Sequence, residues 1–418
     1  MRLPLDHLMG QPMLAPLMKS VNGIGLLNLI REQGPISRAE LAKLSALSKP
    51  TVSSQVESLI RKNLVVERGP GKSGHRGGKK PTLIEFNADF GRLIAVEIDA
   101  SEIRTALTDL EGKVIDRATV VTKPETGSGQ VLRRVVRGIE KLLNAPERRE
   151  KLRVIGVAAP GRVDAERGIV LEAGNLFGWR NVLLRQRLQK SFGVPVFVDN
   201  DVNMAALGEK AHGMAQSVSN FVLVRLDTGI GSGVVIDGKL HHGVNWAAGE
   251  IAHFVLDPAE AGKDWRARGY LESYVGADRI AERVRAATRA SRGKLSQLVK
   301  NKGEFPALLE AFRQGDAEAG RILREVTTRI ALAVAHLSAA YDPSMVVLQG
   351  ALLELLFEKI RQTVARVIPW QQNIALSTLG EEAVLRGTVV AARQHVYELI
   401  ARTLDGRGDE TVTGVIEA

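Results

Sequence analysis

The chain has 418 residues, 44% of them hydrophobic and 25% charged, so we expect a soluble globular protein of two or three domains. The absence of cysteine excludes disulfides and thiolate metal sites. No apolar run approaches the length of a membrane span, and the N-terminal MRLPLDHLMGQPMLAP lacks a signal-peptide core, so we expect a cytoplasmic protein without membrane spans.

Positive charge is concentrated at the N-terminus. The whole chain carries a net charge of +10, and residues 1–90 carry 13 Lys and Arg against 7 Asp and Glu, a net charge of +6. More than half of the excess therefore lies in the first fifth of the chain, which suggests a domain that binds a polyanion such as DNA.

Two helices are predicted at the start of this basic region. Apolar side chains at helical spacing indicate a first helix over IGLLNLIREQ, residues 24–33, which the pair Gly34-Pro35 ends. Ser37 and Glu40 have the spacing of a capping box, which predicts the start of a second helix in SRAELAKLSALS.

A third helix is predicted in KPTVSSQVESLIRKNL. Its apolar inner face would consist of Val52, Val56, Leu59 and Ile60. Small polar groups and amides on the outer face suit entry into a major groove and contact with base edges and phosphates. These candidate DNA contacts are Lys49, Thr51, Ser53, Ser54 and Gln55.

A basic hairpin is predicted after the third helix. The segments LVVER and TLIEF have the pattern of short strands, and they flank the glycine-rich loop GPGKSGHRGGKKP. Three helices and a basic hairpin indicate a winged helix-turn-helix over residues 1–88; the alternative is a helical bundle followed by a flexible basic linker. The hairpin adds three candidate DNA contacts, Arg76, Lys79 and Lys80.

The rest of the chain has the pattern of a duplicated α/β body. The strand LIAVEID ends at Asp99 and is followed by a hairpin pattern, TALTDLEGKVI. About 130 residues later FVLVRLD ends at Asp227, and the glycine-rich loop TGIGSG leads into a second hairpin, VVIDGKL. A cleft between two such lobes is a natural place for a ligand.

Polar side chains collect at two further positions. The strand VPVFVDN is followed by Asp201, and Asn200-Asp201 could either bind a hydroxyl-rich ligand or cap the next helix. In AAGEIAHFVLDP, Glu250 and His253 are three residues apart, and Glu272 follows in GYLESY. These groups are compatible with metal ligands, catalytic groups, hydroxyl-binding groups or buried core residues.

The order of several phrases resembles the ROK family, which combines bacterial sugar kinases with sugar-responsive repressors. The phrases are GVAAPGRVDAERGIVLEAGNLFGWRNVLL, VPVFVDNDVNMAALGE, LDTGIGSGVVIDGKLHHGVNWAAGEIAHF and GYLES. The resemblance implies an actin-like, ribonuclease-H-like two-lobe body behind the winged head. It also implies a set of sugar-binding residues, Asn175, Asn200, Asp201, Glu250, His253 and Glu272.

The resemblance also implies the domain boundaries. The first lobe would comprise residues 89–200, completed by a late helix at about 383–404. The second lobe would comprise residues 201–382, and residues 405–418 would form a flexible tail.

The chain departs from the kinases of this family at three nucleotide-binding loops. Asp99-Ala100-Ser101-Glu102 stands where the kinases have D-x-G-G-T, Asp227 replaces the first glycine of G-T-G, and Gln349-Gly350 replaces G-G. Carboxylates near a triphosphate oppose its binding unless a metal neutralises them. We therefore expect phosphoryl transfer to be lost, although Asp201 matches the catalytic base of the kinases.

The zinc site of many members is altered as well. Three cysteine positions are occupied by Lys263, Trp265 and Tyr270, so we expect no metal, and His253 is then either a sugar ligand or a packed core histidine. We expect Trp265 and Tyr270 to brace the loop by packing together, with a cation contact from Arg266 or Arg268.

The resemblance and the residues together predict a sugar-responsive transcriptional repressor of carbohydrate metabolism genes without a cofactor. Its partners would be operator DNA, a monosaccharide or sugar phosphate as effector, and a second or further copies of the chain in a homodimer or homotetramer. One alternative is an active sugar kinase that retains a DNA-binding domain. Another is a repressor that has a vestigial pocket and is controlled by a protein partner.

Overall fold

The computed structural model describes residues 14–70, 80–123, 125–174, 176–289 and 293–405. The described helices are α1 (Leu14–Gln33), α2 (Arg38–Ser45), α3 (Lys49–Arg61), α4 (Ser128–Leu142), α5 (Pro146–Glu150), α6 (Leu184–Phe192), α7 (Asp201–His212), α8 (Tyr270–Val275), α9 (Ala277–Thr288), α10 (Lys294–Lys302), α11 (Glu304–Arg313), α12 (Ala317–Tyr341), α13 (Ala351–Val367) and α14 (Glu382–Leu404). None of these helices is both long and apolar enough to cross a membrane.

Strands form four sheets in the described residues. They are β1 (Ile36–Ser37), β2 (Val65–Pro70), β3 (Thr82–Phe86), β4 (Arg92–Ile98), β5 (Glu102–Asp109), β6 (Val114–Val121), β7 (Leu152–Ala159), β8 (Arg162–Asp164), β9 (Ile169–Glu172), β10 (Arg180–Val182), β11 (Val196–Asn200), β12 (Phe221–Leu226), β13 (Ile230–Ile236), β14 (Lys239–Leu240), β15 (Met345–Gln349) and β16 (Ile374–Leu376). Short 3-10 turns cover Ala88–Phe90, Ile251–His253 and Pro258–Glu260.

The N-terminal domain is a winged helix-turn-helix, as predicted. Helices α1 to α3 pack on a small sheet of order β1-β3-β2. The capping box at α2 is confirmed, because the Ser37 hydroxyl accepts from the Glu40 amide at 3.2 Å and the Glu40 carboxylate accepts from the Ser37 amide at 3.1 Å. Ser48 caps α3 in the same manner by accepting from the Thr51 amide.

The orientation of α3 agrees with the prediction except at one residue. Lys49 and Ser54 are exposed, and Thr51 and Ser53 are half-buried. Gln55, in contrast, is only 7% exposed, so the expectation that it faces DNA was wrong.

The reason is that Gln55 lies on the inner stripe of α3, three residues after Val52 and four before Leu59. It faces α1, where a Cβ on Gly23 would meet the Gln55 amide oxygen at 3.2 Å.

The wing is described only in part. Strands β2 and β3 pair antiparallel, and Arg68 bridges them through an ion pair with Glu85 at 3.0 Å. Lys80 is exposed beside β3. Arg76 and Lys79 lie outside the described residues.

The body contains two five-stranded sheets of the same topology, which confirms the duplication. The first has the order β11-β7-β4-β5-β6 and the second β16-β15-β12-β13-β14. In each sheet the central strand, β4 or β12, pairs antiparallel with the hairpin and parallel with a later strand.

Helix α14 joins the parts of the molecule. It packs on β4 and β7 of the first sheet and runs alongside α7, which begins at Asp201. At its other end it meets the head, where the Tyr397 ring lies edge-on to Phe86 at 5.7 Å and under the Arg31 guanidinium at 3.9 Å. The Tyr397 hydroxyl also donates to the Leu110 carbonyl at 2.7 Å. The head and the first lobe therefore share one core through this helix.

Candidate functional site

A cavity of about 290 Å³ lies between the two lobes. The cavity is lined by the carboxyl end of β11, the loop between β12 and β13, and parts of the segments 242–253 and 266–272. Asn175 lies outside the described residues. The other predicted sugar-binding residues all line this cavity, namely Asn200, Asp201, Glu250, His253 and Glu272.

Asn200 forms the N-terminal cap of α7. Its side-chain oxygen accepts from the amides of Val202 and Asn203 at 2.8 and 3.0 Å, and its amide nitrogen donates to the Gly161 carbonyl at 2.8 Å. The capping role considered for this residue is therefore present. It also holds Asp201 at the end of β11, facing the cavity.

Arg225 is the partner of Asp201, and sequence reasoning missed it. Its guanidinium lies 3.1 Å from the Asp201 carboxylate and 3.1 Å from the Asp227 carboxylate. Burial raises the pKa of Asp201, while the charge of Arg225 opposes that rise. A signal was present in the sequence, because one arginine interrupts the otherwise apolar strand FVLVRL and a buried cation requires a counter-charge.

A second buried carboxylate lies close to this ion pair. Glu97 on β4 is 1% exposed and accepts from Arg104 at 2.7 Å. Burial raises the pKa of Glu97 to about 7, although Arg104 and Arg225 both lower it. Side chains of opposite charge therefore interact from β4 and β5 of the first lobe to β12 of the second.

The phrase AAGE places Glu250 in the cavity. Gly249 has a φ of +84°, and a Cβ there would meet the Ser232 carbonyl oxygen at 2.0 Å, so only glycine allows this approach to β13. Burial raises the pKa of Glu250 to about 7, and the neighbouring Asp201 and Glu272 carboxylates act in the same direction. Glu250 is consequently poised between its acid and its carboxylate form near neutral pH.

His253 and Glu272 also line the cavity. His253 is exposed there, so the interpretation as a packed core histidine is wrong. Glu272 is half-buried and pairs with Arg268 at 3.2 Å, and burial raises its pKa. Both side chains face the space in which a ligand would lie.

The loop that replaces the zinc-binding segment is braced by aromatic rings. Trp265 and Tyr270 pack edge to face at 5.3 Å, as predicted, and Tyr270 in turn contacts Tyr274 at 4.8 Å. The cation contact comes from other residues than expected. Arg329 and Arg283 lie 3.9 and 5.0 Å from the Tyr274 ring centroid.

Arg266 and Arg268 are engaged in ion pairs with Asp264 and Asp278, which explains why neither provides the cation contact to the aromatic rings. Lys263, at another of the former cysteine positions, pairs with Glu260 at 2.8 Å.

Two further cavity residues come from the loop after β14. The His242 ring lies 2.8 Å from the buried Asp199 carboxylate, and this hydrogen bond raises the pKa of His242. The Trp246 ring lies 5.3 Å from the His242 ring. Both residues lie within a family phrase, but the sequence analysis assigned no role to either of them.

Comparisons with known proteins agree with this architecture. The sequence model of the ROK family matches residues 93–395, and a model described as winged helix-turn-helix DNA-binding matches residues 22–66. The chain belongs to the ROK family. Its winged head places it in the DNA-binding repressor branch of that family, as the sequence motifs indicated.

Three relatives illustrate the two branches. The xylose repressor of Caldicellulosiruptor bescii is 30% identical over 89% of this chain and 95% of its own. The glucokinase of Thermotoga maritima is 30% identical over 73% of this chain and 98% of its own. The crystal structure of a ROK family transcriptional regulator, described as a homolog of Escherichia coli Mlc, has a TM-score of 0.75 at 25% identity and covers 96% of this chain and 100% of its own.

Proposed function

We propose that this ROK protein is a transcriptional regulator whose winged head binds operator DNA and whose interlobe cavity binds a monosaccharide. The observation that carries the proposal is the joining of both parts in one chain, since α14 contacts the head at Tyr397 and lies beside α7, which begins at Asp201. Carboxylates that accept from neighbouring hydroxyls, with an imidazole alongside, can orient a sugar ring. The name of the xylose repressor relative makes D-xylose the first ligand to test.

The proposal includes the loss of kinase activity. In its support, Arg225 donates to the Asp201 carboxylate at 3.1 Å, and this hydrogen bond competes with acceptance of a proton from a sugar hydroxyl. Asp227 stands in the second phosphate loop, and Asp99 accepts from the Ser101 amide and hydroxyl in a turn closed on itself. These carboxylates oppose a triphosphate electrostatically.

Gln349, which stands where the kinases have a glycine of the G-G pair, also supports the loss of kinase activity. It is 4% exposed, and its amide donates to the Gly380 carbonyl. The side chain thus occupies space that two glycines would leave open.

The second candidate is an active sugar kinase that kept its DNA-binding head. Two observations favour it, the presence of Asp201 in the cavity and the 30% identity to a glucokinase. The two candidates differ in one measurable property, because only a kinase consumes ATP when the sugar is added.

A thermal-shift titration of the full chain tests the proposal. The panel consists of pentoses, hexoses, N-acetylated amino sugars and their phosphates, each with and without MgATP. We expect a saturable rise in melting temperature with one sugar, unchanged by MgATP and lost in Asp201→Ala and Glu250→Ala. Sugar-dependent ATP turnover would establish the kinase instead. No shift with any ligand would favour control by a protein partner.

Sugar binding is expected to depend on pH through Glu250. Its pKa of about 7 means that the carboxylate, the stronger acceptor, dominates only above neutral pH. If the ionised form binds the sugar, affinity should be about tenfold weaker at pH 6 than at pH 8. Calorimetric titration at both pH values measures this difference.

Glu250→Gln is the matched control for the pH effect. It should bind more weakly at pH 8 and lose most of the pH dependence. An equally steep dependence in this variant would assign the effect to another group, such as His242.

The assembly and location are part of the proposal. A winged head on a large lobe pair suits a symmetric dimer or tetramer, in which sugar binding changes the spacing of the paired heads. A protein that binds operator DNA would act in the cytoplasm.

A further inference from the structure

The loop between β14 and Glu250 carries two aromatic side chains that line the cavity, His242 and Trp246. Their rings meet at 5.3 Å with an interplanar angle of 66°. Both line the same space as Asp201 and Glu250. The cavity therefore combines carboxylates with an aromatic surface.

The backbone of Trp246 is strained. Its φ is +57°, in the left-handed region that a bulky aromatic residue rarely adopts. Such strain persists only where the surroundings hold it in place, and it is concentrated at binding sites. The side chain that is kept at this cost faces the cavity.

Contacts from the first lobe hold this loop. Arg162 on β8 donates to the Asn245 carbonyl at 3.1 Å, and the Asp199 carboxylate at the end of β11 lies 2.8 Å from the His242 ring. Within the loop, the Ala248 amide donates to the His242 carbonyl at 3.1 Å. The position of Trp246 is thus determined by several hydrogen bonds on both sides of it.

We propose that Trp246, supported by His242, is a specificity-determining residue of the cavity, against which the C–H face of a monosaccharide ring stacks. This inference rests on the proposed sugar-binding function. A pyranose presents hydroxyls around its edge and C–H hydrogens on its faces, and these hydrogens suit the negative face of an aromatic ring. The carboxylates of Asp201 and Glu250 accept hydrogen bonds from the hydroxyls, and the indole of Trp246 packs against the C–H face.

The pairing of His242 with Asp199 gives the imidazole a further role. The Asp199 carboxylate accepts a hydrogen bond from Nε2 of His242, and this bond fixes the orientation of the ring. Nδ1 is the remaining polar atom of the ring. Nδ1 forms no hydrogen bond within the described part of the chain, so it is available to a sugar hydroxyl.

The test is Trp246→Gly in the full chain, titrated with the sugar that stabilises the parent protein. We expect sugar affinity to fall at least tenfold, while the melting temperature without sugar stays close to that of the parent. Glycine adopts a positive φ without strain, and this gain in stability offsets the stability lost with the Trp246–His242 contact. Trp246→Phe should bind within threefold of the parent, but the part of the sugar-dependent change in tryptophan fluorescence that comes from Trp246 should be lost.

Asp237→Gly is the matched control, because Asp237 also has a positive φ, +50°, but lies in an exposed turn of the same lobe outside the cavity. It should leave sugar affinity unchanged. Trp246→Gly with unchanged affinity and a lowered melting temperature would overturn the inference and leave the proposed function standing. A parent protein that binds no sugar would instead overturn the proposed function itself.

Discussion

Arg225→Ala is expected to lower the free energy of unfolding by about 3–5 kcal/mol, because it leaves a buried carboxylate without its counter-charge. Asp201 retains only 17% of its side-chain exposure and pairs with Arg225 at 3.1 Å. Asp227 is 58% exposed and can be solvated, so most of the loss in unfolding free energy comes from the unpaired Asp201 carboxylate. Urea unfolding of the full chain measures the loss.

The loss should depend on pH in a defined direction. Without Arg225 the pKa of Asp201, already raised by burial, rises further, so protonation relieves the unpaired charge at low pH. Destabilisation should therefore be larger at pH 8 than at pH 5. The double variant Asp201→Asn with Arg225→Met removes both charges and should recover much of the stability. A loss below about 1 kcal/mol without pH dependence would show that the ion pair is a solvated surface contact.

Tyr397→Leu is expected to abolish the effect of sugar on DNA affinity while leaving sugar binding intact. Tyr397 contacts Arg31 of α1 and Phe86 of the wing, and it lies on α14, which packs along α7. Because Asp201 begins α7, this pair of helices connects the cavity with the head. Leucine retains apolar bulk but removes the cation–π contact and the edge-to-face ring contact.

The measurement is the ratio of DNA dissociation constants with and without saturating sugar. Ordinary coupling of about 1–3 kcal/mol corresponds to a ratio of about 5–150 in the parent, and we expect a ratio near 1 in Tyr397→Leu. Tyr397→Phe keeps the ring contacts and loses only the hydroxyl bond to Leu110, so it should retain the parent ratio. A Leu variant with the parent ratio would place the coupling elsewhere.

Local patterns predicted much of the fold. The Ser37–Glu40 spacing located α2, and the Asp237-Gly238 pair located the second hairpin, because capping boxes and tight turns depend on neighbouring residues only. The repeated strand-and-hairpin pattern likewise predicted two lobes of the same topology.

The errors and omissions concern contacts between distant elements. Gln55 is polar and was assigned to the outer face of α3, but the packing of α1 at Gly23 buries it. The cation beside the aromatic brace comes from Arg329 on α12, far along the chain from Trp265. Such partners depend on how helices approach one another, which local spacing does not encode.

In the cavity, too, local motifs were predicted and contacts between distant elements were not. Family motifs brought Asp201 and Glu250 to attention, and both line it. The sequence assigned no role to Arg225, His242 or Trp246, and their importance follows from a buried ion pair, a hydrogen bond to Asp199 and a backbone angle. Only the folded chain brings these features together.

We propose that one chain couples sugar binding to DNA binding. The most direct test selects DNA fragments from a random pool with the full-length protein, and then measures their affinity by fluorescence anisotropy with and without the stabilising sugar. We predict sequence-specific binding whose dissociation constant changes at least fivefold with sugar in the parent and not in Asp201→Ala. Sequence-specific binding that is identical with and without a sugar known to occupy the cavity would contradict it.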